Sequence, residues 1–128
     1  MVVYEGGLRC SAKHEESGVV VVTDAPKDNQ GNGESFSPSE MLSVSLGSCI
    51  LSIMGIVARN NEIDMTGATA TVEKTMANAP RRITGISVQV RVPGELNEEQ
   101  RVKLVAAAHA CPVHNVLHVE APITFSWG

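Results

Sequence analysis

The chain has 128 residues, ten Lys and Arg against 14 Asp and Glu, and a formal net charge of −4. This length predicts a single domain over residues 1–128, and the scattered basic residues argue against a nucleic-acid-binding face. Because no cationic segment followed by an apolar one stands at the N-terminus, we expect a cytoplasmic protein whose three cysteines are reduced thiols, not a disulfide framework.

The N-terminal third predicts strands followed by a long loop. Residues 1–24 alternate loosely and include a β-branched run over residues 19–23, which predicts a hairpin of two strands at about 8–14 and 18–24. Residues 25–36 are rich in Pro, Asp, Asn and Gly, which is loop composition. A structureless segment of this length suggests a functional or interface-shaping loop.

A long helix is predicted to begin after Ser37. Ser37 can cap it, Pro38 suits the first helical position, and Glu40 completes a capping box. The helix should run to about Asn60, and residues 41–58 are uncharged and apolar nearly all round. With six Ser and Gly, this stretch falls short of the roughly 20 strongly apolar residues of a membrane span. We therefore expect no membrane association and a helix buried on all sides, as at a dimer seam.

The second half predicts two strands, two helices and a final strand. Residues 68–73 and 83–92 alternate around a turn at residues 78–80. Asn97 precedes an amphipathic helix that should stop near Cys111, and Pro112 fits the first turn of a short helix over 112–118. Residues 122–127 close the chain as a strand. The predicted order is ββ–α–ββ–α–α–β, an α+β fold.

The cysteines are the candidate chemical groups, and Cys49 and Cys111 together suggest a two-cysteine redox centre. Cys49 lies in the middle of the apolar helix and is either a small core residue or a thiol activated by an Arg or His from elsewhere in the fold. Cys111 precedes a predicted helix start, where backbone N–H groups favour a thiolate, so it is either a cap or a reactive thiol. Cys10 alternates with Arg9 on a predicted strand and is interpreted as structural.

Three histidines surround Cys111 and allow an alternative. His109, His114 and His118 lie within ten residues, and His114 and His118 have the i,i+4 spacing of one helical face. Such a set could hold zinc, but the chain has no Cys-x-x-Cys or His-Glu-x-x-His pattern and no second ligand cluster. We predict surface or capping histidines and no metal or cofactor. A glycine-rich phosphate loop and a Gly-x-Ser-x-Gly elbow are also missing.

Three motifs occur in one order along the chain: Ser37-Pro38-Ser39-Glu40-Met41-Leu42, Leu46-Gly47-Ser48-Cys49 and Ala110-Cys111-Pro112-Val113. In this combination the chain resembles the OsmC/Ohr family of osmotically inducible protein C and the organic hydroperoxide resistance proteins. The resemblance implies antiparallel sheets packed around a central buried helix in an intertwined homodimer. It also implies thiol-dependent reduction of organic hydroperoxides, with Cys49 as the peroxidatic thiol, Cys111 as the resolving thiol and a dithiol as reductant.

The resemblance also implies an arginine from the N-terminal region of the partner chain, and Arg9 is the only arginine before Cys49. Family peroxidases usually carry a catalytic glutamate directly after the proline, where this chain has Ser39. Glu40 stands one residue later, about 100° around the helix, so we keep it as a candidate catalytic acid but favour a capping role. This departure leaves open a non-enzymatic dimer that binds a small apolar ligand or partner.

Overall fold

The protein has six strands and three α-helices in the order βββ–α–ββ–α–α–β. A computed structural model describes residues 1–128, which divide into two units, 1–42 and 43–128. The elements are β1 (Val2–Gly6), β2 (Arg9–Lys13), β3 (Val20–Asp24), α1 (Pro38–Asn60), β4 (Thr69–Ala77), β5 (Arg82–Val92), α2 (Glu98–His109), α3 (Pro112–Val116) and β6 (Ile123–Trp127). The α+β class and the order of the predicted elements are confirmed, with one strand added at the N-terminus.

The added strand, β1, makes the first sheet three-stranded, β1–β2–β3, with both pairs antiparallel. The sequence analysis missed it because its apolar run is short and two glycines follow. Those glycines form the turn: Gly6, Gly7 and Leu8 all have positive φ, at 88°, 59° and 63°. Glycine adopts this region freely, whereas leucine rarely does, so the turn rests on the two glycines.

The long helix α1 begins and ends where the sequence predicts, but one chain buries only one of its faces. The buried side chains include Leu46, Ile50 and Met54, which follow the i,i+4 spacing of a single stripe. Val44 and Ile56 remain 41% and 56% exposed. The expected burial on all sides is therefore not met within one chain. By length and composition, α1 is also the one helix that could cross a membrane, and 28% of its most apolar 18-residue segment is buried. The core helices of soluble proteins can have the same length and composition.

The second sheet is mixed, which corrects the expectation of antiparallel sheets. Strands β4 and β5 pair antiparallel, but β5 and β6 pair parallel, with Val88 opposite Ile123 and Val90 opposite Phe125. The reason is that α2 and α3 carry the chain back to the start of β5, and a parallel pair needs such a crossover. The alternation predicted for residues 83–92 is confirmed in β5, since its valines at positions 88, 90 and 92 are 0–1% exposed and form a core face.

The two C-terminal helices set the position of Cys111. Asn97 caps α2 with a complete capping box, because its side chain accepts from Gln100 N–H and the Gln100 side chain accepts from Asn97 N–H. The short helix α3 ends at Val116, two residues before the predicted end. Leu104 and Ala108 of α2 are fully buried, so this end of the chain belongs to the core of the second unit.

Candidate functional site

The structure brings Cys49 and Cys111 together within the second unit. Cys49 lies on α1 and is half-buried, whereas Cys111 stands immediately before α3 and is 0% exposed. After burial, the largest cause of the raised pKa of the Cys111 thiol is the interaction of its S–H with the Cys49 sulfur. The two thiols are therefore direct neighbours, although 62 positions separate them in the sequence. None of the three cysteines forms a disulfide in this structure.

The position of Cys49 depends on Gly47, which allows helix α1 to lie close to the second sheet. A Cβ at Gly47 would lie 3.1 Å from Val72 Cγ2 and 3.6 Å from Ala70 Cβ, so a side chain there would press on β4. Cys49 stands one residue before Ile50 of the buried stripe and so lies at its border. Cys49 is therefore only partly covered within one chain.

The turn that carries Cys111 is fixed by two contacts of His114. The backbone N–H of His114 donates to Cys111 Sγ at 3.4 Å, so Cys111 caps α3. The ring of His114 donates through Nε2 to the carbonyl oxygen of Ala121 at 2.7 Å, because a carbonyl only accepts. These contacts tie α3 to the segment before β6, and they confirm the cap that the sequence offered as one interpretation of Cys111.

The electrostatic setting of Cys111 differs from the sequence expectation. Burial raises the pKa of its thiol, with the interaction of its S–H with the Cys49 sulfur as the next cause, while the N–H groups of His114 and Val113 act in the opposite direction. The pKa of Cys111 is therefore shifted in the direction opposite to the one that a helix start alone favours. The physical reason is that α3 is only five residues long, so its N–H groups do not offset the loss of water around the sulfur.

Arg9, the predicted partner of the peroxidatic thiolate, is held by two carboxylates of its own unit. Its Nη2 donates to Glu34 and lies 3.5 Å from Asp24 Oδ2. Both contacts raise the pKa of the guanidinium, the Glu34 hydrogen bond most strongly. Neither carboxylate is marked by a sequence pattern, because Asp24 ends a β-branched strand and Glu34 lies in a loop without any recognisable motif. The role of Arg9 toward Cys49 stays a prediction.

Glu40 has the contacts of a capping residue. Glu40 N–H donates to Ser37 Oγ at 3.2 Å, and Ser37 N–H donates to a Glu40 carboxylate oxygen at 2.7 Å. Ser39, in the position of the family glutamate, has its hydroxyl oxygen 3.2 Å from that of Ser37. The capping box predicted from the sequence is present, and a catalytic role for Glu40 stays a prediction.

The third cysteine lines a groove of the first unit. Cys10 is half-buried on β2 and stands opposite Tyr4 and Thr23 on the neighbouring strands. The groove has a volume of about 570 Å³, and its walls include Val21 and Met41. Its lining is mainly apolar, which favours an alkyl group or an apolar side chain as occupant.

The histidines form no ligand cluster in this structure. The His109 and His114 rings pack edge to face with centroids 6.0 Å apart. No group of three or more His, Cys, Asp or Glu side chains is arranged to hold a metal ion. With His114 Nε2 bonded to Ala121, the structure offers no support for the zinc alternative built on His114 and His118.

Comparisons with known proteins identify one family and several similar structures. The family model described as OsmC-like protein matches residues 31–126. A structure from Psychrobacter arcticus 273-4, provisionally described as an osmotic stress induced and detoxification response protein, is 41% identical with a TM-score of 0.93 and covers 98% of this chain and 93% of its own. No curated protein sequence matches this chain.

Two more distant structures share the fold. An organic hydroperoxide resistance protein OsmC from Legionella pneumophila is 20% identical with a TM-score of 0.73, covering 100% of this chain and 95% of its own. An OsmC like protein from Mycoplasma pneumoniae is 16% identical with a TM-score of 0.83, covering 99% and 94%. The family match spans most of the chain and includes both neighbouring cysteines, and this chain therefore belongs to the OsmC-like protein family.

Proposed function

We propose that the protein reduces organic hydroperoxides by thiol chemistry, with Cys49 as the peroxidatic and Cys111 as the resolving cysteine. The observation that carries the proposal is the proximity of two thiols in unequal settings. Cys49 is half-buried, whereas Cys111 is fully buried and its pKa is raised. Some proteins of this fold are named organic hydroperoxide resistance proteins, which supports the choice of substrate class.

The proposed reaction has three balanced steps. The Cys49 thiolate attacks the outer oxygen of the hydroperoxide, the O–O bond breaks, and the alkoxide takes a proton to leave as an alcohol, which converts Cys49 to a sulfenic acid. The Cys111 sulfur then attacks the Cys49 sulfur, and water leaves as the disulfide forms. An external dithiol reduces this disulfide by thiol–disulfide exchange and becomes a disulfide itself.

The raised pKa of Cys111 suits the order of these steps. A thiol that stays protonated at neutral pH neither competes with Cys49 for the peroxide nor repels its thiolate as a second anion. Its neighbour position supplies the high effective concentration needed for the second step. Activation of Cys49 requires a cation, and by family resemblance we assign this role to Arg9 of the partner chain in a homodimer.

The unpartnered apolar surface supports a homodimer. In the first sheet and just before β3, valines 2, 3 and 19–22 are between 37% and 69% exposed, and α1 leaves Val44 and Ile56 exposed. A monomeric protein rarely leaves so many apolar side chains exposed to solvent. We expect a dimer in solution, which sedimentation equilibrium measures directly.

A thiol assay with three variants tests the proposed chemistry. We expect wild-type protein to lose two thiols per cumene hydroperoxide consumed and to turn over with dithiothreitol. C49S should lose turnover, C111S should accumulate over-oxidised Cys49, and C10S, the matched control, should behave as wild type. Wild-type protein that keeps all its thiols in cumene or tert-butyl hydroperoxide would refute the proposal.

The second candidate is a non-enzymatic dimer that binds a small apolar ligand or partner. The observation that favours it is the apolar groove of about 570 Å³ beside Cys10. A pH titration of Cys49 alkylation in a C10S/C111S background separates the two functions. A packing cysteine stays unreactive through neutral pH, whereas a peroxidatic one reacts there as thiolate.

A further inference from the structure

Asp24 is a buried carboxylate that the proposed chemistry has not yet used. Its side chain is 0% exposed, and its Oδ2 lies 3.5 Å from Arg9 Nη2 and accepts the backbone N–H of Glu34 at 2.9 Å. The Glu34 side chain binds the same Arg9 nitrogen and is 62% exposed. One buried and one exposed carboxylate therefore converge on a single guanidinium.

Asp24 also holds the loop that brings Glu34 to Arg9. Its backbone N–H donates to the carbonyl of Phe36 at 3.0 Å, and Gly33 N–H donates to the carbonyl of Ala25 at 3.2 Å. The loop over residues 25–36 thus closes on the end of β3, with the Asp24 side chain bound to Glu34 N–H inside it. If the Asp24 charge is lost, both the direct contact to Arg9 and the support of the loop are weakened.

The charge on Asp24 is maintained by its surroundings. The Glu34 N–H lowers the pKa of Asp24 most, Arg9 and the Ala25 N–H lower it further, and burial acts in the opposite direction. Its other oxygen, Oδ1, has no hydrogen-bond partner. An ionised buried carboxylate normally needs a charged partner, and the structure supplies Arg9. Asp24 and Arg9 are therefore dependent on each other.

The usual acidic position is not available for this task. Ser39 carries no charge, and both the carboxylate and the backbone N–H of Glu40 are hydrogen-bonded to Ser37 at the start of α1. Arginine binds carboxylates with a rigid planar fork, so its direction is set by the carboxylates that hold it. In this chain those carboxylates are Asp24 and Glu34.

We infer that Asp24 is a positioning residue which, together with Glu34, orients Arg9 toward the reacting thiol and so replaces the acidic residue after the proline. This inference rests on the proposed peroxidase function and on the role of Arg9 in it. Asp24 does not touch the peroxide; it acts through the guanidinium.

The direction of the effect distinguishes positioning from simple charge neutralisation. If Asp24 positions Arg9, D24N leaves the guanidinium misplaced, and the pKa of the Cys49 thiol rises. If Asp24 only neutralises Arg9, D24N frees positive charge, and the pKa of Cys49 falls. A rise of one unit lowers the thiolate fraction at neutral pH about tenfold.

The experiment measures the pH profile of Cys49 alkylation in the C10S/C111S background and the kcat/KM for cumene hydroperoxide in the full protein. D24N should shift the profile upward and lower kcat/KM about tenfold, and E34Q should act in the same direction by less. In an R9Q background D24N should cause no further loss, because its effect passes through Arg9. E5Q, which changes an exposed carboxylate of β1, is the control and should leave the profile unchanged, and E40Q tests the alternative acid.

The outcomes separate this inference from the proposed function. If the wild-type protein turns over peroxide but D24N and E34Q leave the pH profile of Cys49 unchanged or shift it downward, the inference is overturned and the proposed function stands. A shift caused by E40Q instead assigns the role to Glu40 and also overturns it. Wild-type protein without turnover overturns both. If D24N does not fold, E34Q decides, since its exposed side chain tolerates the amide.

Discussion

The close approach of α1 to the second sheet at Gly47 gives a sharp test of how Cys49 is placed. In G47A the new Cβ would meet Val72 Cγ2 at 3.1 Å, roughly 0.4 Å or more short of an ordinary carbon–carbon contact of about 3.5–4.0 Å. Val72 is β-branched and has few rotamers with which to withdraw. The helix and β4 must therefore move apart slightly.

Two terms decide the free energy of unfolding of G47A. Alanine is a better helix former than glycine by about 1 kcal/mol, which stabilises the variant. Overpacking a close contact costs about 1–3 kcal/mol, which destabilises it. We expect the second term to win, with a net loss of about 1 kcal/mol and slower Cys49–Cys111 disulfide formation after peroxide treatment.

A double-mutant cycle isolates the contact. V72A removes the methyl group that Gly47 accommodates, so the G47A/V72A protein should be more stable than the two single changes predict, by about 1 kcal/mol or more. The helix-propensity term occurs in both backgrounds and cancels. Urea unfolding of the four proteins measures the coupling. A coupling near zero, or a G47A protein stabilised by the full propensity gain, would refute the close approach.

Three further predictions concern stability. N97A should lower the free energy of unfolding by about 1 kcal/mol, because the capping box of α2 is complete, and unchanged urea unfolding would contradict this. Burial raises the pKa of the Cys111 thiol in the folded protein. Its contribution to the free energy of unfolding is therefore fully present below the unfolded-state pKa of about 8.5 and declines as the pH rises through the folded-state pKa. The urea midpoint of the wild type should fall in alkaline buffer, and that of C111A should fall less. The pKa of Asp24 is lowered in the folded protein, so its contribution to the free energy of unfolding is present above the unfolded-state pKa of about 3.9 and is lost as the pH falls below it. The free energy of unfolding of D24N should therefore depend less on pH in acid than that of the wild type. Equal pH dependence of the two proteins would count against the buried ion pair.

The sequence by itself determined the local elements and the identity of the thiols. Capping residues Ser37 and Asn97 marked the starts of α1 and α2, and alternation marked β4 and β5, because these signals depend on a few neighbouring residues. Motif order indicated the family and the cysteine pair, and the capping interpretation of Glu40 also followed from local spacing.

Only the tertiary structure decided how these parts act together. The parallel pairing of β6, the proximity of Cys49 and Cys111 and the raised pKa of Cys111 arise between segments far apart in the chain. The same holds for the two carboxylates on Arg9, since Asp24 and Glu34 have no local pattern that marks them. Burial and distance set these properties, and neither is encoded in the spacing of neighbouring residues.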